Sequence, residues 1–438
     1  CIRDRARTAL VFLISLVVAG CQGDRSSVEP ATTAGTPQPG AGATAYVDAN
    51  IWDGTGSGMR TDDVLVVREG RVEGLFENVP EGAEIVSLRD RWIVPGIINT
   101  HGHVSGRWAD DAVADVGDRV RGDLELYARY GITTVLSLGG APGEAIAVRD
   151  AQAGDSLQHA RVFVAGPVVA DDNPNDAADT VRDNLEQGVD WIKLRIDDNL
   201  GTATKMPWDA VEAAIATAAS ANTPVATHIF YMEDADRLLD LGTGMIAHSV
   251  RDQAVSREFI SKLRDSGVCY VPTLVREAST FVYAERPDWF DDAFFLEAAK
   301  QSEIERASNP EFMARVAASP TAAGYRVALQ QAQDNIRPLL DGGVPIAFGT
   351  DSGPAGRFPG YFEHLEMDLM TEAGLTPEEI LLSATSVAAQ CIGLVDVGTL
   401  EAGNWADFVV LDENPLEDIR AMRAIDAVYL AGNRLVRD

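Results

Sequence analysis

Val94-Pro95-Gly96-Ile97-Ile98-Asn99-Thr100-His101-Gly102-His103 is the stretch whose reading decides the fold. The apolar run over 94–100 reads as a buried strand, and it ends on two histidines. Residues two apart on extended backbone share a face, so the imidazoles of His101 and His103 lie together. Seven further apolar runs follow, at 133–138, 162–165, 191–196, 225–229, 245–247, 269–274 and 345–349. Helical stretches separate them, for example 208–219, 234–241 and 256–265, with Asn222-Thr223-Pro224 and Gly267 as stop signals. Eight strand-then-helix units over about 300 residues predict an α/β fold, a (β/α)8 barrel spanning 94–395. Its seventh connection, 275–343, is unusually long and carries Phe281, Tyr283, Trp289, Phe290, Phe294 and Phe295. Those aromatics fit either a lid over the barrel mouth or extra helical packing.

The chain has only six histidines. Four fall at predicted strand ends: His101 and His103 after the first, His228 near the end of the fifth, and His248 after the sixth. Lys193 lies within the fourth strand and Asp351 follows the eighth. Side chains at the C-terminal strand ends of such a barrel converge on one mouth. Any one of these residues alone is commonplace. A strand histidine is usually a hydrogen-bonded core residue, and a strand lysine usually faces solvent. Together, in consistent order around one barrel, they predict a metal site. Imidazole and carboxylate donors suit zinc without excluding manganese, cobalt or nickel.

These residues resemble the amidohydrolase superfamily, in particular its imidazolonepropionase-like and Xaa-Pro-dipeptidase-like members. The matching pieces are the quoted stretch from Pro95 to His103, Ile192-Lys193, Ala226-Thr227-His228, Ala247-His248, Gly349-Thr350-Asp351-Ser352, and the tail from Gly398 to Asp412. The resemblance covers about 45–437 and is specific for the superfamily, much less so for substrate. It implies two divalent ions, most simply zinc. His101, His103 and Asp351 would hold one, and His228 and His248 the other. Lys193 would bridge both as a carbamate formed with CO2. An ammonium cannot ligate a cation, whereas a carbamate offers two anionic oxygens. A bridging hydroxide would attack the scissile carbonyl, and Asp351 would carry its proton to the leaving amine. A mononuclear site without carbamate is the rival within the family.

The resemblance points to a hydrolase of amide C–N bonds acting on dipeptides, including prolyl dipeptides, or on N-acyl amino acids. Tyr231, Arg251 and Arg195 lie near predicted strand ends, where each could hold a substrate carboxylate or merely support a loop. The alternatives are hydrolysis of cyclic amides, lactones or xenobiotic esters and carbamates at the same site, or an inactive binding module. The module reading is weakened because all six ligand positions are filled.

Strand-like segments at 44–47, 64–68, 71–75 and 84–87 precede the barrel, and 406–411, 427–430 and 433–436 follow it. They predict a small β-sandwich built from both ends, 44–93 with 396–438. Residues 3–7 are basic, 9–19 apolar, and Val18-Ala19-Gly20-Cys21 resembles a bacterial lipobox. Residues 1–20 are therefore expected to be a lipoprotein signal peptide, with Cys21 lipidated at the cell envelope. Residues 21–43 read as a flexible tether. The four cysteines are widely spaced, so no disulfide framework is expected. With 36 basic and 67 acidic residues the net charge is −31. That disfavours nucleic acid and docking of a basic surface on anionic lipid. Membrane association is expected only through the lipid anchor, partners are small molecules or dipeptides, and homo-oligomerisation stays open.

Overall fold

The structure is a computed structural model that describes residues 42–436 except Asp155. The expected signal peptide, the lipid-anchor Cys21 and the tether up to residue 41 lie outside the described residues. Ala43 already opens a strand, Ala43–Val47. No helix among the described residues is long and apolar enough to cross a membrane.

Parallel strands form most of the barrel wall. Ile97–Gly102, Ile132–Ser137 and Arg161–Val164 pair in sequence order. Ile192–Arg195, Val225–His228, Met245–Ala247 and Cys269–Val271 do the same. A bridge between Val169 and Leu194 spans the gap between these groups. The strands are buried on both faces, which explains runs such as Ile-Thr-Thr-Val-Leu-Ser without polar alternation. Helices begin and stop where the sequence says. Pro174–Gln187 is capped by the Asn173 side chain and ended by Gly188 at φ 79°. Ser256 and Gly267 bracket Arg257–Ser266 in the same way.

Two strand expectations need correction. The run at 94–100 is not one strand. Trp92–Pro95 belongs to the terminal β structure, and the barrel strand starts at Ile97. The break falls at Gly96, whose N–H donates to the Asp407 carbonyl at 2.9 Å. A Cβ there would sit 2.0 Å from Thr133 Oγ1, so only glycine lets the first barrel strand approach the second. The run at 345–349 forms no full strand. Ile346 makes a single bridge to Tyr270. The Ala347 N–H donates to the Tyr270 carbonyl and the Thr100 N–H to the Phe348 carbonyl, each at 2.9 Å, and these bonds close the barrel.

The terminal segments build two packed sheets. One has the order Arg71–Phe76, Val64–Arg68, Ala43–Val47, Glu84–Ser87. The other runs Asn433–Arg434, Ile425–Leu430, Phe408–Leu411, Trp92–Pro95, Asn50–Trp52, Met59–Arg60. Tyr46 and Leu65 from the first meet Ile93, Phe408 and Tyr429 from the second. The rings of Phe408 and Tyr429 stack at 4.4 Å, with Tyr46 edge-on to Phe408 at 5.2 Å. Arg161, at the start of the third barrel strand, reaches this β structure. Its Nε lies 2.7 Å from Asp407 Oδ2, with both side chains 4% exposed. Trp405 covers the guanidinium at 4.3 Å.

In the seventh connection the aromatics pack rather than gape. Phe290 and Phe295 stack at 5.4 Å, and Phe358 and Tyr361 close on Phe295 at 4.9 Å each. Tyr283, Phe290 and Phe295 are buried. The same connection nevertheless sends one residue of its first helix, Leu274–Ser279, into the mouth, as described below.

One disulfide was not anticipated. Cys269, opening the seventh strand, joins Cys391 across 122 residues of chain. Closing so long a loop removes denatured-state entropy. Cys391→Ser is therefore expected to cost about 2–5 kcal/mol. The check is a urea melt in which a reducing agent lowers the wild-type midpoint and leaves the variant's unchanged.

Candidate active site

His101 and His228 lie at the C-terminal ends of their strands, His103 and His248 just past theirs, Lys193 inside the fourth strand and Asp351 after the run at 345–349, and the structure brings all six together. His103 Nε2 lies 2.6 Å from Asp351 Oδ1, and His101 Nε2 lies 3.6 Å from the same oxygen. Donor atoms of His101, His103 and Asp351 fall within 4.8 Å of one another, a spacing that can hold a cation. Lys193 Nζ is 3.2 Å from His101 Nε2. The His248 ring centroid is 4.6 Å from that of His101 and 4.1 Å from that of His228.

Local backbone and surrounding bonds fix this arrangement. His248 and Asp351 adopt φ of 72° and 59°, a region costly for non-glycine residues. The Asp351 N–H donates to the His101 carbonyl at 2.6 Å, and the His248 N–H to that of Val271 at 3.0 Å. His103 Nδ1 lies 2.7 Å from the Gly139 carbonyl and His248 Nδ1 lies 2.6 Å from Thr273 Oγ1, so both rings turn Nε2 to the centre. Behind them, Glu363 Oε1 accepts from Asn99, Thr350 and Ser352 at 2.6–2.7 Å. Asn99 Oδ1 in turn accepts the His101 N–H at 2.9 Å. Asp123 takes four backbone N–H groups, of Ser105, Gly106, Trp108 and Ala109, and so shapes the loop leaving His103.

Burial dominates the electrostatics. It pulls the Lys193 ammonium down to about 7, against Asp351 and Asp197. It takes His228 down to about 4, and holds His101 and His248 well below the usual imidazole range. Neutral imidazoles are the form that ligates cations. Burial pushes Asp351 upward, but Arg357 and His103 overcome it and keep the carboxylate ionised.

Several neighbours escaped the sequence reading. Asp197 is buried, with Oδ1 3.2 Å from His228 Nε2, and neither of its oxygens has a hydrogen-bond partner. Arg357 Nη1 donates to Asp351 Oδ2, and Arg276 Nε lies 3.8 Å from that oxygen. Arg357 could have been found by following the Asp351 loop six residues on. Arg276 gives no signal, because it enters from the long seventh connection.

The expected substrate contacts fall in three different settings. Tyr231 donates its hydroxyl to Asp198 at 2.9 Å. Arg195 is half-buried on the Lys193 strand, in register with His228. Arg251 is wholly buried. It donates to the Ile229 and Ser249 carbonyls and lies 3.3 Å from Glu277. Those are the bonds of a loop-supporting group.

The class of protein follows from a comparison with known families. The amidohydrolase family profile matches residues 92–435, and the chain belongs to that family. It is 23% identical over 399 residues to a 5-methylthioadenosine/S-adenosylhomocysteine deaminase of Bacillus cereus, covering 87% of this chain and 86% of that protein. An imidazolonepropionase of Deinococcus radiodurans is 36% identical over 137 residues, 30% of this chain and 34% of that protein. Among solved structures, a Xaa-Pro dipeptidase with methionine in its active site superposes with TM-score 0.71 at 21% identity, over 90% of this chain and 99% of that one.

Proposed function

We propose that the chain hydrolyses an amide bond in a small carboxylate-bearing substrate, a dipeptide or an N-acyl amino acid, at a binuclear metal centre. The observation that carries this reading is the convergence of His101, His103, Lys193, His228, His248 and Asp351 on one mouth. The donor set fits cations. Four imidazoles and a carboxylate face one another, and Asp197 Oδ2 is buried beside them without a hydrogen-bond partner. His101, His103 and Asp351 would hold one ion, His228 and His248 the other, with Lys193 between them. Such ions, most simply zinc, polarise a carbonyl and lower the pKa of bound water.

The chain's own residues do the rest. The Lys193 ammonium first gives up a proton, and the neutral amine then adds CO2 through Nζ and releases a second proton, so that a carbamate with two anionic oxygens replaces a group unable to bind a cation. Asp351 takes a proton from the attacking water and returns it to the nitrogen of the departing amine. The hydrogen bonds on His103 and His248 hold those rings still while this happens.

The test is metal analysis combined with a hydrolysis screen of dipeptides, N-acyl amino acids, cyclic amides, lactones and aryl esters. Cleavage of the first two classes is expected. Turnover of lactones or esters alone would overturn the reading in favour of the other hydrolase class. Loss of all turnover in a fully metal-loaded protein would favour a binding module.

The lipobox-like Val18-Ala19-Gly20-Cys21 supports a lipid anchor at the bacterial envelope, and the disulfide suits an oxidising compartment. Cys21→Ser is expected to move the protein from the membrane fraction to the soluble fraction of cells expressing it. An unchanged distribution would remove the anchor.

A further inference from the structure

We propose that Arg357 anchors an anionic group of the substrate, a carboxylate. This rests on Asp351 being spent on the metal centre. Arg357 lies in the loop after the barrel closes. Its Nε donates to Ser279 Oγ at 3.0 Å and its Nη1 to the Asp351 carbonyl at 3.3 Å. Its one acidic partner is the Asp351 carboxylate. Among the described residues, Arg357 Nη2 has no partner. The side chain is 18% exposed, so part of it stays accessible to a small molecule. The loop that carries it cannot be laid differently. Gly353 takes φ 109°, its N–H donates to the Arg357 carbonyl at 2.9 Å, and a Cβ on it would fall 2.0 Å from the His103 carbonyl oxygen.

The charge balance gives the direction. Arg251 and Arg276 share Glu277, at 3.3 and 3.0 Å. Arg276 Nη2 is also taken by Asn199 at 3.2 Å, which leaves Nε buried and without a hydrogen bond beside Asp351. With the Asp351 charge shared with a cation, Arg357 has no other acidic partner, its remaining contacts being the Ser279 hydroxyl and the Asp351 carbonyl. A charge so placed calls for an anion from outside. The guanidinium fork matches the two oxygens of a carboxylate. Arg251 is the poorer anchor, since it is wholly buried and bonded to backbone carbonyls and Glu277.

The experiment compares, on the metal-loaded full chain, a dipeptide that the screen finds cleaved with the same dipeptide amidated at its C-terminus. Wild type is expected to show a KM about 10- to 100-fold lower for the acid, the worth of a charged hydrogen bond. Arg357→Gln should erase that preference with metal content unchanged, and Arg357→Lys should restore part of it. Equal KM values in wild type, or a preference that survives in Arg357→Gln, would overturn the anchor. If no dipeptide is cleaved, the functional reading fails separately. Equilibrium dialysis of N-acetyl-L-proline against its amide then decides the anchor. Acid-selective binding lost in Arg357→Gln supports it, and indifference to the acid overturns it.

Discussion

Replacing Lys193 by alanine is expected to cut turnover by at least about 10³-fold, on the order of 4 kcal/mol of barrier, and to lower bound metal from about two ions per chain to one or fewer. The side chain is buried, 3.2 Å from His101 Nε2, and nothing else in the fourth strand can take its place between the two histidine pairs. Alanine leaves a gap where the two halves of the centre should be joined. Metal content measured beside kinetics separates this from simple misfolding, because the strand itself is held by register with Val225–His228. A Lys193→Ala protein with full activity and both ions would eliminate the carbamate bridge and return the site to the mononuclear alternative.

The second large effect is on stability. Arg161→Ala is expected to destabilise the fold by about 3–5 kcal/mol, because it strands the buried carboxylate of Asp407. Asp407 lies within the β structure, where its Oδ1 also accepts the Ala431 N–H at 2.7 Å. Arg161 additionally donates from Nη1 to the Gln152 carbonyl at 3.1 Å. The exposed pair Arg182–Asp179 provides the control, since breaking a solvated pair is worth about 0–1 kcal/mol. Urea midpoints of Arg161→Ala and Arg182→Ala should therefore separate clearly. Equal midpoints would mean that the buried pair contributes nothing.

The barrel and the convergence of these six side chains were legible because their signals are local. An apolar run marks a strand, and whatever stands at its end faces the mouth. The limits of that reasoning are visible at particular residues. Pro95-Gly96 does not interrupt an apolar pattern, so nothing in the run revealed that it serves two sheets. Residues 345–349 look strand-like but pair through single bonds. Arg276, from the helix Leu274–Ser279 in the long seventh connection, and Arg357 and Asp197, from loops, reach the site along paths that depend on tertiary packing. The Cys269–Cys391 pairing crosses 122 residues, and no spacing rule reaches that far.

The pairing of Phe408–Leu411 with Trp92–Pro95 has a consequence for synthesis. Trp92–Pro95 leaves the ribosome about 310 residues before its antiparallel partner exists. Until then, Asn50–Trp52 and Trp92–Pro95 present an unpaired strand edge next to a barrel that is still being made. The nascent chain therefore carries this association-prone edge for about seven-tenths of translation.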